Sequence, residues 1–195
     1  MHIRQFIGTA AVMFSLSLAG NGALADEALW DSLKEGGKVV LVRHTTAEEA
    51  EPERSMRLSP DDCSQEAQLT EEGRAQARKL GEALKQHGVP VGEVVSSEFC
   101  RARQTMELAF GDGEIWNALN LVNAMPAADA DFLMEDVRDR IGGFSGEGNL
   151  FMVSHRPNVN TITFQNVEAG SLVVLQPDGT GMFEVLGVIA VEDYQ

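Results

Sequence analysis

The sequence predicts an α/β fold of three layers, in which helices flank a mostly parallel central sheet that ends in an antiparallel edge. Apolar strand-like runs at 39–42, 91–97 and 150–154 alternate with segments whose apolar residues recur at helical spacing. Strands separated by helices pair in parallel, because the chain must cross over the sheet to return. The last two apolar runs, 171–175 and 182–191, flank a Pro-Asp-Gly-Thr turn and predict a C-terminal hairpin, which supplies the antiparallel edge.

The helices of this alternating pattern can be placed one by one. Leu29, Trp30 and Leu33 share one face of a short helix predicted over 26–35, which two glycines end. The clearest helix covers 70–87, with Thr70 as its cap and acidic residues at its positive end. Further helices are predicted over 99–110, 129–141 and 157–165. Residues 45–68 are predicted to form a long acidic surface loop, which is either a rim or lid of a site or merely solvated. Residues 111–128 are predicted to be mostly loop, with a short strand at 115–116.

The first 25 residues have the features of a secretory signal peptide. Arg4 precedes an apolar run over 6–19, and the small-x-small pattern at 23–25 is followed at once by Asp26. We therefore predict a signal peptide at 1–25 and one domain at 26–195 of an exported, periplasmic protein that keeps no stable membrane association once the signal is cleaved. An uncleaved membrane anchor is the alternative, although so short an apolar run spans a bilayer poorly.

The composition restricts the partners of the protein. Its 195 residues carry a formal net charge of −15, so the surface repels nucleic acid and anionic lipid by default. A site for anions must then be a local cationic pocket, which favours a small phosphorylated substrate over a polyanion. No pattern in the sequence indicates an oligomeric state.

The two cysteines, Cys63 and Cys100, are the whole cysteine content of the chain. In an exported protein such a pair favours one disulfide, with two buried thiols as the alternative. Neither cysteine has metal-ligand spacing to the other, so no metal site is predicted on them.

Two histidines close buried strands of the predicted parallel sheet. His44 follows Arg43 at the end of the first strand, and His155 ends the strand at 150–154. Because the carboxyl ends of parallel strands face one crevice, both imidazoles are expected in one site. Arg101 lies in the first turn of the helix after the strand at 91–97, where free backbone N–H groups also favour an anion.

These motifs resemble those of the histidine phosphatase superfamily, which has the phosphoglycerate-mutase-like fold. Leu-Val-Arg-His-Thr at 41–45, Leu-Thr-Glu-Glu-Gly-Arg-Ala-Gln-Ala at 69–77, the segment 96–105 and Val-Ser-His at 153–155 occur in the order and spacing of that family. The sequence looks closest to the small exported branch that includes the lipopolysaccharide core heptose phosphatase, and less close to the cytoplasmic phosphohistidine phosphatases.

The resemblance implies a role for each matching residue. His44 would attack phosphorus and form a phosphohistidine, Arg43 and Arg101 would hold the phosphoryl oxygens, and His155 would add a further contact. Thr45 and Ser171 would contribute hydroxyl or backbone contacts to the substrate. Neither a metal nor another cofactor is required.

The sequence departs from the family pattern in the residue that would protonate the leaving group. Many members carry a glutamate in the segment after the second helix, but the counterpart at 118–123 has no carboxylate, and Arg156 follows His155 where another branch has aspartate. Glu48 and Glu49 are the candidate general acids, with Glu114 a weaker one; all three are otherwise solvated surface acids.

Two functions of different classes follow from this sequence. The first is a metal-independent phosphatase that hydrolyses a phosphomonoester or similar phosphoryl compound. The alternative is a module that binds phosphate or a phosphorylated ligand with little turnover, because no general acid is evident. A metal hydrolase is disfavoured, since the histidines lack the i, i+4 spacing on a helix and the arginines would repel a cation.

Overall fold

The computed structural model describes residues 21–194, with side chains from residue 26 onward. Residues 1–20 of the predicted signal peptide lie outside the described residues. The first described element, α1, covers Asn21–Lys34, so it begins before the predicted start at residue 26. No helix within the described part of the chain is long and apolar enough to cross a membrane.

A six-stranded sheet in the order β3-β2-β4-β1-β5-β6 forms the centre of the molecule. Strands β1, β2, β3 and β4 are parallel, whereas β5 pairs antiparallel with both β1 and β6. The predicted α/β fold, with its antiparallel edge from the C-terminal hairpin, is confirmed. The strands are Val39–Arg43 (β1), Val91–Ser96 (β2), Glu114–Ile115 (β3), Asn149–Ser154 (β4), Leu172–Pro177 (β5) and Phe183–Ile189 (β6).

Helices cover both faces of the sheet and make the three layers. Val40 and Val42 of β1 belong to the apolar core on one face, together with residues such as Leu80, and Val39 and Leu41 to the core on the other. This alternation explains the unbroken apolar run of β1, since both faces of that strand are covered. The helices after α1 are Pro52–Met56 (α2), Glu71–Gln86 (α3), Cys100–Phe110 (α4), Ala127–Gly142 (α5) and Arg156–Thr163 (α6).

The segment predicted as a loop over 45–68 has more structure than expected. It contains α2, a 3-10 turn at Cys63–Gln65 and an isolated bridge between Ala47 and Leu69. Pro52 at the start of α2 has the fixed φ of a first helical turn, which explains how so short an acidic segment becomes helical. The segment at 111–128 is mostly irregular, as predicted, with β3 and two 3-10 turns.

The start of α3 is packed tightly against the chain that leaves β1. Thr70 caps the helix as predicted, and its hydroxyl accepts from the Gly73 N–H at 3.0 Å. A Cβ added to Gly73 would lie 1.9 Å from the carbonyl oxygen of Thr46, so only glycine fits there. The chain that follows His44 therefore packs directly against the first turn of α3.

The predicted disulfide between Cys63 and Cys100 is present and ties the 45–68 segment to the first residue of α4. The neighbouring Glu66 is fully buried and reinforces this link. Its carboxylate accepts from the Cys100 N–H at 2.8 Å and from the Ser59 N–H at 2.6 Å. The helix that carries Arg101 is therefore held to the segment above the sheet by both a covalent bond and a buried carboxylate.

Candidate active site

The two predicted site histidines meet at the carboxyl ends of β1 and β4. These strands are parallel neighbours in which Arg43 is in register with Ser154, so the next residues of both strands lie side by side. The ring centroids of His44 and His155 are 5.3 Å apart, with the rings nearly perpendicular. The expectation from the sequence that both imidazoles share one crevice agrees with this placement.

The ring proton of His44 is placed by the backbone. Nδ1 lies 2.9 Å from the carbonyl oxygen of Thr45, which can only accept, so Nδ1 carries the proton and donates it. Nε2 therefore bears the lone pair, and it accepts from Nε of Arg101 at 3.3 Å. This is the tautomer that a nucleophile attacking through Nε2 needs.

Arg101 extends from the first turn of α4 and is 5 % exposed. Its guanidinium lies over the Phe99 ring, with Cζ 4.6 Å from the ring centroid. Burial lowers the pKa of Arg101 to about 10, an effect that the charge of Glu66 opposes, and the group stays cationic at neutral pH. Nη1 is buried and has no hydrogen-bond partner within residues 21–194, so one donor is left for a ligand.

Arg43 extends from the end of β1 and is anchored on its far side. Its Nη1 donates to the carbonyl oxygen of Val167 at 2.6 Å and lies 3.8 Å from the Glu168 carboxylate. Burial and the nearby Arg156 lower the pKa of Arg43, while Glu168 opposes the shift. Its Nε is a second buried donor that finds no partner in the described structure. Two arginines thus offer unsatisfied donors beside His44.

Both imidazoles are kept neutral by their surroundings. Burial, with the charges of Arg101 and Arg43, lowers the pKa of His44 to about 3 despite the opposing hydrogen bond to Thr45. Burial, followed by His44, Arg101 and Arg43, lowers the pKa of His155 well below its usual range. The nucleophilic lone pair of His44 is therefore available across the physiological pH range.

A cavity of about 290 Å³ opens onto His44, Arg43 and Arg101. Glu48 lies in its wall, and its carboxylate is paired with Nη2 of Arg54 at 2.9 Å. Leu121 of the 118–123 segment also lines the cavity, so this segment presents an apolar side chain there. The lining residues are Arg43, His44, Thr46, Ala47, Glu48, Ser55, Ala67, Arg101, Leu121 and Ala169.

His155, which is 1 % exposed, and the remaining predicted site residues lie outside this lining. Thr45 is fully buried, and its backbone N–H and hydroxyl both contact the Thr105 hydroxyl at 3.2 Å. Ser171 is buried as well, and its carbonyl oxygen accepts from the Arg43 N–H at 3.1 Å. Glu49 lines a neighbouring groove on the 45–68 segment. Glu114 lies in β3, where it is 3.9 Å from Nη2 of Arg140.

His155 is held by a hydrogen-bond network that the sequence analysis missed. Its Nε2 lies 2.9 Å from the Ser97 hydroxyl, which is 3.0 Å from Oδ1 of Asn120. The Asn120 amide in turn donates to the Glu98 carboxylate at 2.6 Å. Ser97 lies in the 96–105 motif beside Arg101, which is the one signal that could have drawn attention to it. Asn120 drew notice only as part of a segment without an acid.

Metal ligands do not cluster in the described part of the chain. Within residues 21–194, no group of three or more histidine, cysteine, aspartate or glutamate side chains is placed to hold a metal ion. Arg43, Arg101 and His155 lie around His44, and two guanidinium groups suit an anion.

Comparisons with known proteins agree with this geometry. The family model described as the histidine phosphatase superfamily (branch 1) matches residues 39–119. No curated protein sequence matches the chain significantly. The protein histidine phosphatase SixA, in a structure complexed with tungstate, is 18% identical with a TM-score of 0.58, and the match covers 81% of this chain and 99% of that one.

Two further solved structures have similar folds. A phosphoglycerate mutase from Thermus thermophilus is 23% identical with a TM-score of 0.53, covering 78% of this chain and 98% of that chain. A phosphoserine phosphatase from Entamoeba histolytica is 12% identical with a TM-score of 0.52, covering 80% and 98% respectively. The chain therefore has the histidine phosphatase fold, with His44 and His155 at the carboxyl ends of its two central parallel strands.

Proposed function

We propose that the protein is a metal-independent phosphatase that hydrolyses a phosphomonoester or a similar phosphoryl compound through a phosphohistidine on His44. The observation that carries this proposal is the lone pair of His44 Nε2, which lies at a cavity beside two arginines that each have a buried, unsatisfied donor. Neutral imidazole is the nucleophile, and fixed cations hold the group that it attacks.

The reaction proceeds in two displacements. His44 Nε2 forms a bond to phosphorus while the bond from phosphorus to the leaving oxygen breaks, and water then attacks the phosphohistidine to release phosphate and free His44. Arg101 Nε, which holds the Nε2 lone pair in the free protein, moves its hydrogen bond to a phosphoryl oxygen when the substrate binds. Arg43 and Arg101 neutralise the charge on the transferring group.

Glu48 is the carboxylate best placed to protonate the leaving group. It is the one acidic side chain among the described residues that line the 290 Å³ cavity, and Arg54 at 2.9 Å fixes its position. Leu121 supplies no proton from the opposite segment. A substrate whose leaving group has a low pKa, such as a sugar 1-phosphate, an acyl phosphate or a phosphohistidine, would need none.

The protein acts as an exported, periplasmic enzyme in this proposal. The signal-peptide pattern at 1–25 and the disulfide between Cys63 and Cys100 support this location, because disulfides persist in oxidising compartments. The sequence resemblance further supports membership of the small exported branch that includes the lipopolysaccharide core heptose phosphatase. Thiol titration and N-terminal sequencing of periplasmic material would test the location, with two free thiols or an intact residue 1 contradicting it.

The activity is tested with purified mature protein and an aryl phosphate in the presence of a chelator. We expect turnover in wild type and none above background in His44→Ala. Full activity in that variant would contradict the proposal. A series of phosphomonoesters with leaving groups of graded pKa tests the role of Glu48, since a shallow dependence that becomes steep in Glu48→Gln identifies it as the acid.

A binding module with little turnover is the second candidate, and the apolar Leu121 in the cavity wall favours it. This function predicts that vanadate or phosphate binds by calorimetry, that binding needs Arg43 and Arg101, and that no product is released. Ready turnover of several phosphomonoesters would exclude it.

A further inference from the structure

The orientation of the Asn120 side chain is fixed by its partners. Oδ1 accepts from the backbone N–H of Glu98 at 2.9 Å, and a backbone N–H can only donate. Nδ2 faces the carboxylate of the same residue at 2.6 Å. If the amide oxygen and nitrogen were exchanged, the amide NH₂ would face the Glu98 N–H, donor against donor. The amide oxygen would then face the Glu98 carboxylate, acceptor against acceptor. The amide oxygen therefore faces Ser97.

The Ser97 hydroxyl has one proton and must give it to Asn120. Its oxygen lies 3.0 Å from Asn120 Oδ1 in a fully buried position, where two acceptors facing each other would be costly. Its lone pairs are then left for the N–H of Phe99 at 3.2 Å and for Nε2 of His155 at 2.9 Å. Because the hydroxyl accepts from Nε2, His155 carries its proton on Nε2.

The other ring nitrogen of His155 is consequently a bare acceptor. Nδ1 is buried without a hydrogen-bond partner in the described structure, and His155 as a whole is 1 % exposed. The titratable groups that act on the ring are the cations Arg43 from β1 and Arg101 from α4 and the neutral His44, which follows β1. Arg156 is the next residue in the chain, and Glu98 lies behind Asn120. This mostly cationic setting opposes protonation of Nδ1, in agreement with the lowered pKa of His155.

We propose that Ser97 and Asn120 are positioning residues that hold His155 as its Nε2–H tautomer. Nδ1 then accepts a hydrogen bond from a protonated phosphoryl oxygen. The site therefore selects the monoanion of its substrate over the dianion. This inference rests on the proposed function and deepens it. The donors of Arg43 and Arg101 bind the unprotonated phosphoryl oxygens, and Nδ1 binds the P–OH. A dianion would place a lone pair against Nδ1 in a buried site.

The tautomer is tested by long-range ¹H–¹⁵N NMR of the imidazoles, a measurement that needs no activity. The His155 signals are assigned by their loss in His155→Gln. We expect a protonated Nε2 and an unprotonated Nδ1 in wild type, and a gain of the Nδ1–H form in Ser97→Ala. Ser96→Ala is the matched control, because Ser96 is equally buried but its hydroxyl donates to the Ser97 carbonyl oxygen. An Nδ1–H tautomer in wild type would overturn the proposal.

The choice of ionic form is tested by calorimetry with inorganic phosphate and sulfate. Sulfate carries no proton near neutral pH, so we expect wild type and Ser96→Ala to bind it about tenfold more weakly than phosphate, the cost of one unpaired buried acceptor. Phosphate affinity should fall as its monoanion is titrated away. In Ser97→Ala, where Nδ1–H can form, the preference for phosphate over sulfate should shrink to below about threefold.

Equal affinity of wild type for the two anions, or an unchanged preference in Ser97→Ala, would overturn the proposal. Binding of neither anion by wild type would overturn the monoanion selection and would contradict the proposed phosphate site as well. The NMR result would still decide the role of Ser97 and Asn120 by itself, so failure of the tautomer assignment and failure of the proposed function are distinguishable.

Discussion

The two histidines of the site lie at equivalent ends of neighbouring parallel strands, yet their ring protons are on opposite nitrogens. His44 donates from Nδ1 to the carbonyl of the very next residue, whereas the hydrogen bonds around His155 place its proton on Nε2, toward Ser97 and Asn120. One tautomer is set by the adjacent backbone, and the other by Ser97, which lies 58 residues away in sequence and is itself bonded to Asn120. Two histidines at equivalent positions of a sheet thus carry their protons on different ring nitrogens, because different groups hydrogen-bond to their rings.

Replacing each histidine in turn should produce the largest effect and shows whether the two rings have different roles. We expect His44→Gln to lower kcat/KM by about 10⁴ or more, because it removes the nucleophile, and His155→Gln by about 10², because it removes one contact to the transferring group. Initial rates with an aryl phosphate measure both. Equal losses in the two variants would contradict the separate roles.

The disulfide holds the start of α4, the helix that carries Arg101. Cys63→Ser combined with Cys100→Ser should lower the free energy of unfolding by about 4 kcal/mol, since the bond closes a loop across a sequence separation of 37. Denaturant unfolding of wild type and of the double variant without reductant provides the measurement. Equal midpoints for the two proteins would show that the buried Glu66 contacts hold the segment by themselves.

The planar group of Arg101 contacts His44 through Nε and leaves Nη1 as a donor for a ligand. Arg101→Lys should lower kcat/KM by about 10², because an ammonium cannot replace the paired Nε and Nη1 donors that the guanidinium presents to the phosphoryl oxygens. Arg103→Lys is the control from the same helix; its Nη2 contacts Sγ of Cys63 at 3.3 Å, and it should change kcat/KM by less than about threefold. Similar losses in both would show that the effect comes from α4 packing.

Protonation of the neutral rings gives a smaller effect on stability. The folded pKa of His44 is about 3 and lies below its ordinary value of 6.5, so the unfolded chain binds more protons between these pH values. The unfolding free energy should therefore fall as pH decreases through this window, by about 2 kcal/mol between pH 6.5 and 4.5 for this group. His155 shifts in the same direction. Unfolding curves of wild type and His44→Gln measure the difference, and parallel pH dependences would contradict the buried neutral state.

The sequence was enough to predict the fold and the pairing of the two histidines, because both depend on local patterns. Unbroken apolar runs identify strands covered on both faces, and a residue at the end of such a strand has only one crevice to enter. The disulfide followed from two cysteines in a chain with a signal-like start.

The partners of the site residues could not be predicted in the same way. Glu66 looks like one more acid of a charged segment, and only the fold buries it against the Cys100 N–H. The Thr45 hydroxyl, expected near the substrate, instead contacts Thr105 on α4. Such contacts join residues far apart in sequence, with no periodicity to mark them.

Trapping the phosphoenzyme shows directly whether His44 is the nucleophile. Wild-type protein is mixed with an aryl phosphate, quenched in base within the first turnovers, and mapped by mass spectrometry of its peptides. We predict one phosphoryl group, stable to base and labile to acid as an N–P bond requires, on the peptide that contains His44, and none in His44→Gln. Turnover without a trapped phosphoenzyme, or a phosphoryl group on His155, would contradict the account.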